Sequence, residues 1–77
     1  MALITAFNRQ QRDRYTTHKP IEANYFVLGD GEARLIQIDT LGTSDREFPG
    51  KLSQTIQLNR DAAEALYSIL AREFGFK

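Results

Sequence analysis

The C-terminal part of the chain carries a complete helix signature, which constrains the fold more than any other feature of the sequence. Asn59 is a residue type that caps helix N-termini, and Gly75 is the type that ends helices in the left-handed conformation. Arg72 lies in the last turn, where a cation is favoured by the helix dipole. The sequence predicts an amphipathic helix between Asn59 and Gly75, whose apolar stripe packs across one face of a sheet. That stripe comprises Ala62, Leu66, Ile69, Leu70 and Phe74.

A β-hairpin is predicted upstream of this helix. Residues 25–28 are strand formers, a Gly-Asp-Gly turn at 29–31 tolerates positive φ, and residues 35–38 form the returning strand. Strand alternation places Ile36 and Ile38 on one face, so the sheet is expected to have one apolar side and one wetter side. The wetter side then carries Leu35, Gln37 and Asp39.

A third strand is predicted over residues 52–58, directly before the helix, because apolar and polar side chains alternate there. An apolar stretch over residues 1–7 predicts an edge or first strand. The expected fold class is therefore α+β, an antiparallel β-sheet of three to four strands followed by one C-terminal amphipathic α-helix. In the third strand, Gln54, Ile56 and Leu58 share one side, and Ser53, Thr55 and Gln57 share the other.

Charge is distributed unevenly along the chain, although the ten basic and ten acidic residues balance overall. Residues 1–20 carry four basic side chains and one acidic one, whereas residues 21–77 carry six basic and nine acidic ones. The polar stretch 8–20 ends at Pro20 and predicts a long loop or a mobile arm. Such an arm serves either to solubilise a terminus or to attract a polyanion.

The length predicts a single domain over residues 1–77. Within it, residues 1–20 form either a basic N-terminal arm or a first strand followed by a loop, and residues 21–77 form the sheet and helix. A chain this short buries only roughly 60% of the surface that its unfolded form exposes. Because it has no cysteine, disulfides cannot stabilise it, and a homodimer is expected instead. Neither a membrane span nor a signal peptide is predicted, which indicates a cytoplasmic protein without membrane contact.

The sequence has few side chains suited to act as nucleophile, general base or charge stabiliser in one cleft, and no catalytic residue is predicted. His18 is the only imidazole, and its place in the basic arm favours a solvated side chain over a catalytic one. Asp39, Asp45 and Glu47 flank an irregular connection over residues 40–51, but they lack the spacing of a metal-dependent nuclease. The prediction is therefore no metal, no cofactor and no small-molecule substrate.

A nucleic-acid-binding surface is predicted on the polar side of the sheet. Single strands are held by stacking of bases on aromatic rings and by cations near the phosphates. Successive side chains of a strand point to opposite faces, so either Tyr25 or Phe26 must face away from the core. That residue then shares the polar side with side chains that form hydrogen bonds. The predicted binding residues are Tyr25, Arg34, Gln37, Arg46, Lys51 and Gln57, with Arg12 and Arg14 from the arm.

Three short motifs follow one another in the second half of the chain. They are Leu-Ile-Gln-Ile at 35–38 before an irregular loop, Pro-Gly-Lys at 49–51, and Ile-Gln-Leu-Asn at 56–59 leading into the helix. With these motifs the chain from about Tyr25 to Leu70 resembles the Positive Cofactor Four family of transcriptional coactivators. The resemblance implies a curved antiparallel sheet with one helix, dimerisation through both, and binding of single-stranded DNA, with Lys51 as the basic residue that carries over.

Two functions remain open from the sequence. The first is a homodimeric nucleic-acid-binding module, for single-stranded DNA, acting in transcription or DNA metabolism. The alternative is a small regulatory protein-interaction module that docks a partner, for example by strand addition, and binds no nucleic acid. The neutral overall charge favours the alternative, whereas the basic arm and the family resemblance favour the first. A small enzyme ranks last.

Overall fold

In the computed structural model, the described residues are 1–42 and 52–77. Within them the chain forms strands β1 (Ala2–Ile4), β2 (Ala23–Leu28), β3 (Leu35–Leu41) and β4 (Leu52–Leu58), followed by helix α1 (Arg60–Phe74). The expected α+β class with one C-terminal helix is confirmed. Arg46 and Lys51, two residues of the predicted binding surface, lie outside the described residues.

The strands form one four-stranded sheet in the order β1-β4-β3-β2. β2 pairs antiparallel with β3, and β3 pairs antiparallel with β4, but β1 lies parallel to β4. The expectation of a purely antiparallel sheet is therefore wrong for one of the three pairs. A parallel pair needs a long crossover rather than a tight turn, and a large part of the chain separates β1 from β4. β1 and β2 occupy opposite edges, so residues 5–22 connect the two edges of the sheet.

The strand register confirms the predicted alternation and defines two faces. On the apolar face, Ile38 lies opposite Ile56 on β4 and opposite Tyr25 on β2. On the polar face, Gln37 lies opposite Gln57 on β4 and opposite Phe26 on β2. The apolar face also carries Ile4, Val27, Ile36 and Leu58, and the polar face also carries Asp39 and Thr55.

The hairpin turn between β2 and β3 depends on two glycines with positive φ, as the sequence predicts. Gly29 has φ 75° and Gly31 has φ 56°, a region that favours glycine. The sequence did not indicate the short 3-10 turn at Gly31–Ala33 that follows. Its backbone closes through two hydrogen bonds, from the Ala33 N–H to the Asp30 carbonyl (3.0 Å) and from the Arg34 N–H to the Gly31 carbonyl (3.2 Å).

Both ends of α1 are capped as predicted. The side-chain carbonyl of Asn59 accepts a hydrogen bond from the Ala62 N–H at 2.9 Å, which satisfies one of the backbone donors left free at a helix start. Gly75 follows the last helical residue with φ 72°, and Arg72 lies in the last turn. The local sequence is therefore sufficient to fix the bounds of the helix.

Replacing Asn59 by Ala is expected to destabilise the protein by about 1 kcal/mol, because the Ala62 N–H loses its acceptor. Urea unfolding followed by circular dichroism measures the change. Asn59→Asp, which retains a capping oxygen, and Ser68→Ala, a change on an exposed helix position, serve as controls. An unfolding midpoint for Asn59→Ala equal to that of Ser68→Ala would show that the cap does not stabilise the helix.

The helix packs on the sheet through its first turn. Ala62 is its only buried residue, and the most buried large side chain among the described residues is Leu58, at the end of β4. The expectation that the apolar stripe packs across the sheet is met in full only at Ala62, because Leu66 and Ile69 are half-buried and Leu70 is exposed. Phe74 of the same stripe is also exposed, as are Tyr67 and Phe76.

Candidate nucleic-acid interface

A chain of hydrogen-bonded side chains runs across the polar face. Nε2 of Gln57 donates to Oε1 of Gln37 at 2.9 Å, and Nε2 of Gln37 donates to Oδ1 of Asp39 at 3.1 Å. Oγ1 of Thr55 donates to the same carboxylate oxygen at 2.9 Å. We call these four residues the polar ladder. It joins β3 to β4 through side chains as well as through the backbone.

The register of β3 and β4 explains why the polar ladder forms. Gln37 faces Gln57 and Asp39 faces Thr55, and side chains directly opposite one another in antiparallel strands lie within hydrogen-bonding reach. A glutamine amide has two N–H donors and a carbonyl with two lone pairs, so the ladder uses only part of its capacity. The remaining donors and acceptors are suited to the polar edges of bases.

Phe26 is the aromatic residue on the same face as the polar ladder. It lies opposite Gln37 in the register and 43% of its surface is exposed. Tyr25 lies opposite Ile38 and therefore projects to the apolar face. Of the two aromatic candidates in β2, the structure thus places Phe26, and not the predicted Tyr25, beside Gln37 and Gln57.

The structure describes three of the five predicted cations, and none of these three takes part in the polar ladder. Arg34 precedes β3 and lines a groove of about 510 Å³ between the sheet and α1, together with Arg60 and Tyr67. Arg12 and Arg14 are exposed on the segment that connects the sheet edges. Of the predicted binding residues, Gln37 and Gln57 are the pair that the described structure brings into contact.

The strands themselves contribute a negative charge to the polar face. Asp39 is its only charged side chain in the described strands, and it accepts hydrogen bonds from Gln37 and Thr55. Strand alternation predicted Asp39 on the wetter side of the sheet, but its hydrogen bonds to Gln37 and Thr55 were not predicted. Its position two residues after Gln37 is the signal that places both on one face. Cations for a phosphate backbone must therefore come from outside the strands.

The segment of residues 5–22 approaches the C-terminal end of α1. Nη1 of Arg9 lies 3.5 Å from Oε2 of Glu73, and Nε of Arg72 lies 3.5 Å from the same oxygen. All three side chains are largely exposed, so these ion pairs contribute little to stability. Their significance is positional, because they place the basic segment next to the helix end.

A recess of about 450 Å³ lies beside the polar ladder, bordered by Met1, Ala2 and Leu3. Its remaining wall is the ladder itself. The polar face therefore combines a recess with hydrogen-bonding groups and, across β3, an exposed aromatic ring. No three His, Cys, Asp or Glu side chains within residues 1–42 and 52–77 are grouped so that they could hold a metal ion.

Comparisons with known proteins give no further identification. No family model matches the chain, and neither the curated proteins nor the solved structures include a significant match. In the part of the chain that the structure describes, no helix combines the length and the hydrophobicity that crossing a bilayer requires.

Proposed function

We propose that this protein binds single-stranded nucleic acid on the polar face. The observation that carries the proposal is the exposed ring of Phe26 on the same face of the sheet as the half-buried amides of Gln37 and Gln57. Unpaired bases stack on aromatic rings and form hydrogen bonds with amide side chains. The polar face presents both kinds of group within the width of three neighbouring strands.

The charge of the polar face favours a single strand over a duplex. A duplex presents phosphates, which the carboxylate of Asp39 repels, and it conceals the base edges outside its grooves. A single strand can turn its bases toward the ladder, where Asp39 is an acceptor for exocyclic amino groups. Its phosphates then point away from the strands, and the exposed Arg12 and Arg14 of the basic segment are the candidates for contacting them.

Fluorescence anisotropy with labelled oligonucleotides tests this proposal. Replacing Phe26 by Leu removes the ring but retains an apolar side chain, and it is expected to weaken binding of a single strand by roughly five- to a hundredfold, which corresponds to one lost stacking contact. Tyr25→Leu removes the neighbouring ring from the opposite face and is the matched control, with little expected effect. Wild-type binding should weaken as salt increases.

Two results would contradict the proposal. The first is the absence of binding to single-stranded DNA or RNA by the wild-type protein even at low salt. The second is weaker binding by Tyr25→Leu together with unchanged binding by Phe26→Leu, which would place the nucleic acid on the other face. Sedimentation of each variant shows whether an effect on binding accompanies a change in association.

A second candidate function is docking of a protein segment along β2. This strand occupies one edge of the sheet, and all six of its residues are exposed, including Val27 and Leu28. An exposed apolar edge strand is a template for the addition of a further strand. If the oligonucleotide titration shows no binding at low salt, this candidate becomes the better explanation of the exposed edge.

A further inference from the structure

The polar ladder has a direction, and it ends at Asp39. Gln57 donates to Gln37, Gln37 donates to Asp39, and the hydroxyl of Thr55 donates to the same carboxylate. Within residues 1–42 and 52–77, both hydrogen bonds that Asp39 accepts go to Oδ1. An ionised carboxylate offers about four lone-pair sites on its two oxygens. Oδ2 is therefore suited to accept hydrogen bonds from a bound molecule.

Asp39 lines the recess of about 450 Å³ that lies beside the polar ladder. Met1 and Leu3 also border this recess, and both are apolar and exposed, Leu3 by 48%. The lining thus combines apolar side chains with hydrogen-bonding groups. A nucleobase has the matching properties, two apolar faces and a polar edge, and proteins hold unstacked bases through both.

A row of paired residues connects Phe26 with this recess. Phe26 on β2 lies opposite Gln37 on β3. Gln37 lies opposite Gln57 on β4, which in turn lies opposite Leu3 on β1. Neighbouring strands are about 4.8 Å apart, so the row measures about 14 Å from Phe26 to Leu3. A nucleic-acid strand that stacks one base on Phe26 therefore reaches the recess within a few nucleotides.

The hydrogen-bonding groups at the recess distinguish between the bases. The Watson–Crick edge of guanine presents two neighbouring donors, N1–H and N2–H, followed by the O6 acceptor. In adenine, cytosine and thymine every donor on this edge lies next to an acceptor, which the carboxylate of Asp39 repels. Nε2 of Gln37 lies 3.1 Å from this carboxylate and carries a second N–H, which can donate to O6. The pattern therefore fits guanine.

We propose that the recess binds one guanine of the single strand, with Oδ2 of Asp39 accepting from N1–H and N2–H and Gln37 donating to O6. The inference rests on the proposed function and adds a base preference to it. Stacking on Phe26 serves any base, because every base has a π face, whereas the recess selects one. A carboxylate on this surface repels phosphates, and a base that donates to it explains its place there.

Anisotropy titrations with oligothymidines that carry a different base at one central position are the first test. A central guanine is expected to strengthen binding by roughly five- to a hundredfold over thymine, the range for a paired base edge. A central adenine controls for the stacking of a purine and is expected to gain much less. Hypoxanthine, which lacks the N2 amino group, is expected to lie between guanine and thymine.

Asp39→Asn is the corresponding change in the protein. It removes the charge and replaces one acceptor oxygen by a donor, so the advantage of guanine is expected to disappear. Binding of plain oligothymidine should be unchanged or tighter, because a charge that repels phosphates is lost. Glu32→Gln removes the same charge from an exposed position in the hairpin turn and should retain the preference. Phe26→Leu should weaken all the oligonucleotides by the same factor.

The outcomes separate this inference from the proposed function. A guanine preference that Asp39→Asn abolishes and Glu32→Gln retains supports the inference. Equal binding of all the oligonucleotides, or a preference that survives Asp39→Asn, overturns it and leaves the binding of single strands intact. Absence of binding to every oligonucleotide overturns both. If Asp39→Asn does not fold, hypoxanthine decides, since binding equal to that of guanine would exclude the contact with the N2 amino group.

Discussion

Replacing Leu58 by Ala is expected to destabilise the protein by about 2–5 kcal/mol, the range for truncation of a buried leucine. Leu58 is only 4% exposed, and it lies opposite Ile36 on β3 and Ile4 on β1. It also borders the groove under the first turn of α1, with Ala63. A single side chain therefore joins three strands to the helix, and its removal leaves a cavity at their junction.

The expected loss is large compared with the stability of so small a domain. At roughly 0.05–0.15 kcal/mol per residue, a chain of this length has about 4–12 kcal/mol of folding free energy. Urea unfolding should therefore show a strongly lowered midpoint for Leu58→Ala, or a protein that is already unfolded in buffer. Circular dichroism distinguishes these two forms of the expected result.

Leu3→Ala is the matched control for this prediction. Leu3 is also a leucine in a strand of the same sheet, but 48% of its surface is exposed. Its truncation is expected to cost less than about 1 kcal/mol, because little apolar surface is lost from the interior. Equal midpoints for Leu58→Ala and Leu3→Ala would show that the junction under α1 is not the core of the fold.

Local sequence signals were sufficient wherever the structure depends on near neighbours in the chain. The cap at Asn59, the left-handed end at Gly75 and the positive φ of Gly29 and Gly31 were all predicted and are all present. The alternation that separates Ile36 and Ile38 from Gln37 and Asp39 was also predicted correctly, because strand periodicity is a property of consecutive residues.

The direction of β1 could not be predicted by the same reasoning. Its register with β4 places Ala2 opposite Ile56, so the pairing joins residues that are far apart in the sequence. A three-residue strand carries no signal for its partner or its direction, and the long segment between β1 and β2 permits either orientation. The parallel pair is therefore visible only in three dimensions.

The candidate site was predicted only in part, because some of its contacts depend on how strands pair and not on consecutive residues. Gln37 and Gln57 were assigned to one face by alternation and do contact each other at 2.9 Å. The choice between Tyr25 and Phe26 required the register of the hairpin, which depends on how the Gly-Asp-Gly turn and the 3-10 turn after it close. The packing of α1 was overestimated because an apolar stripe indicates burial but not which surface buries it.

Gly29→Ala is expected to be strongly destabilising, and Gly31→Ala much less so. Both glycines have positive φ, where an L-residue costs about 1–2 kcal/mol. At Gly29 the added Cβ would also lie 2.8 Å from the Ala33 carbonyl oxygen, which is backbone and cannot rotate away. At Gly31 the Cβ would meet nothing within 4 Å.

The two substitutions together separate the effect of the steric contact from the effect of φ. The backbone around Ala33 belongs to the 3-10 turn that aligns Leu28 with Leu35, so relieving the contact must disturb the start of the hairpin. We expect Gly29→Ala to lose about 1–3 kcal/mol more than Gly31→Ala, the range for forcing an extra methyl group into a filled space. Thermal unfolding of both variants measures the difference. Equal losses would mean that this turn adjusts without resistance and that the pairing of β2 with β3 does not depend on it.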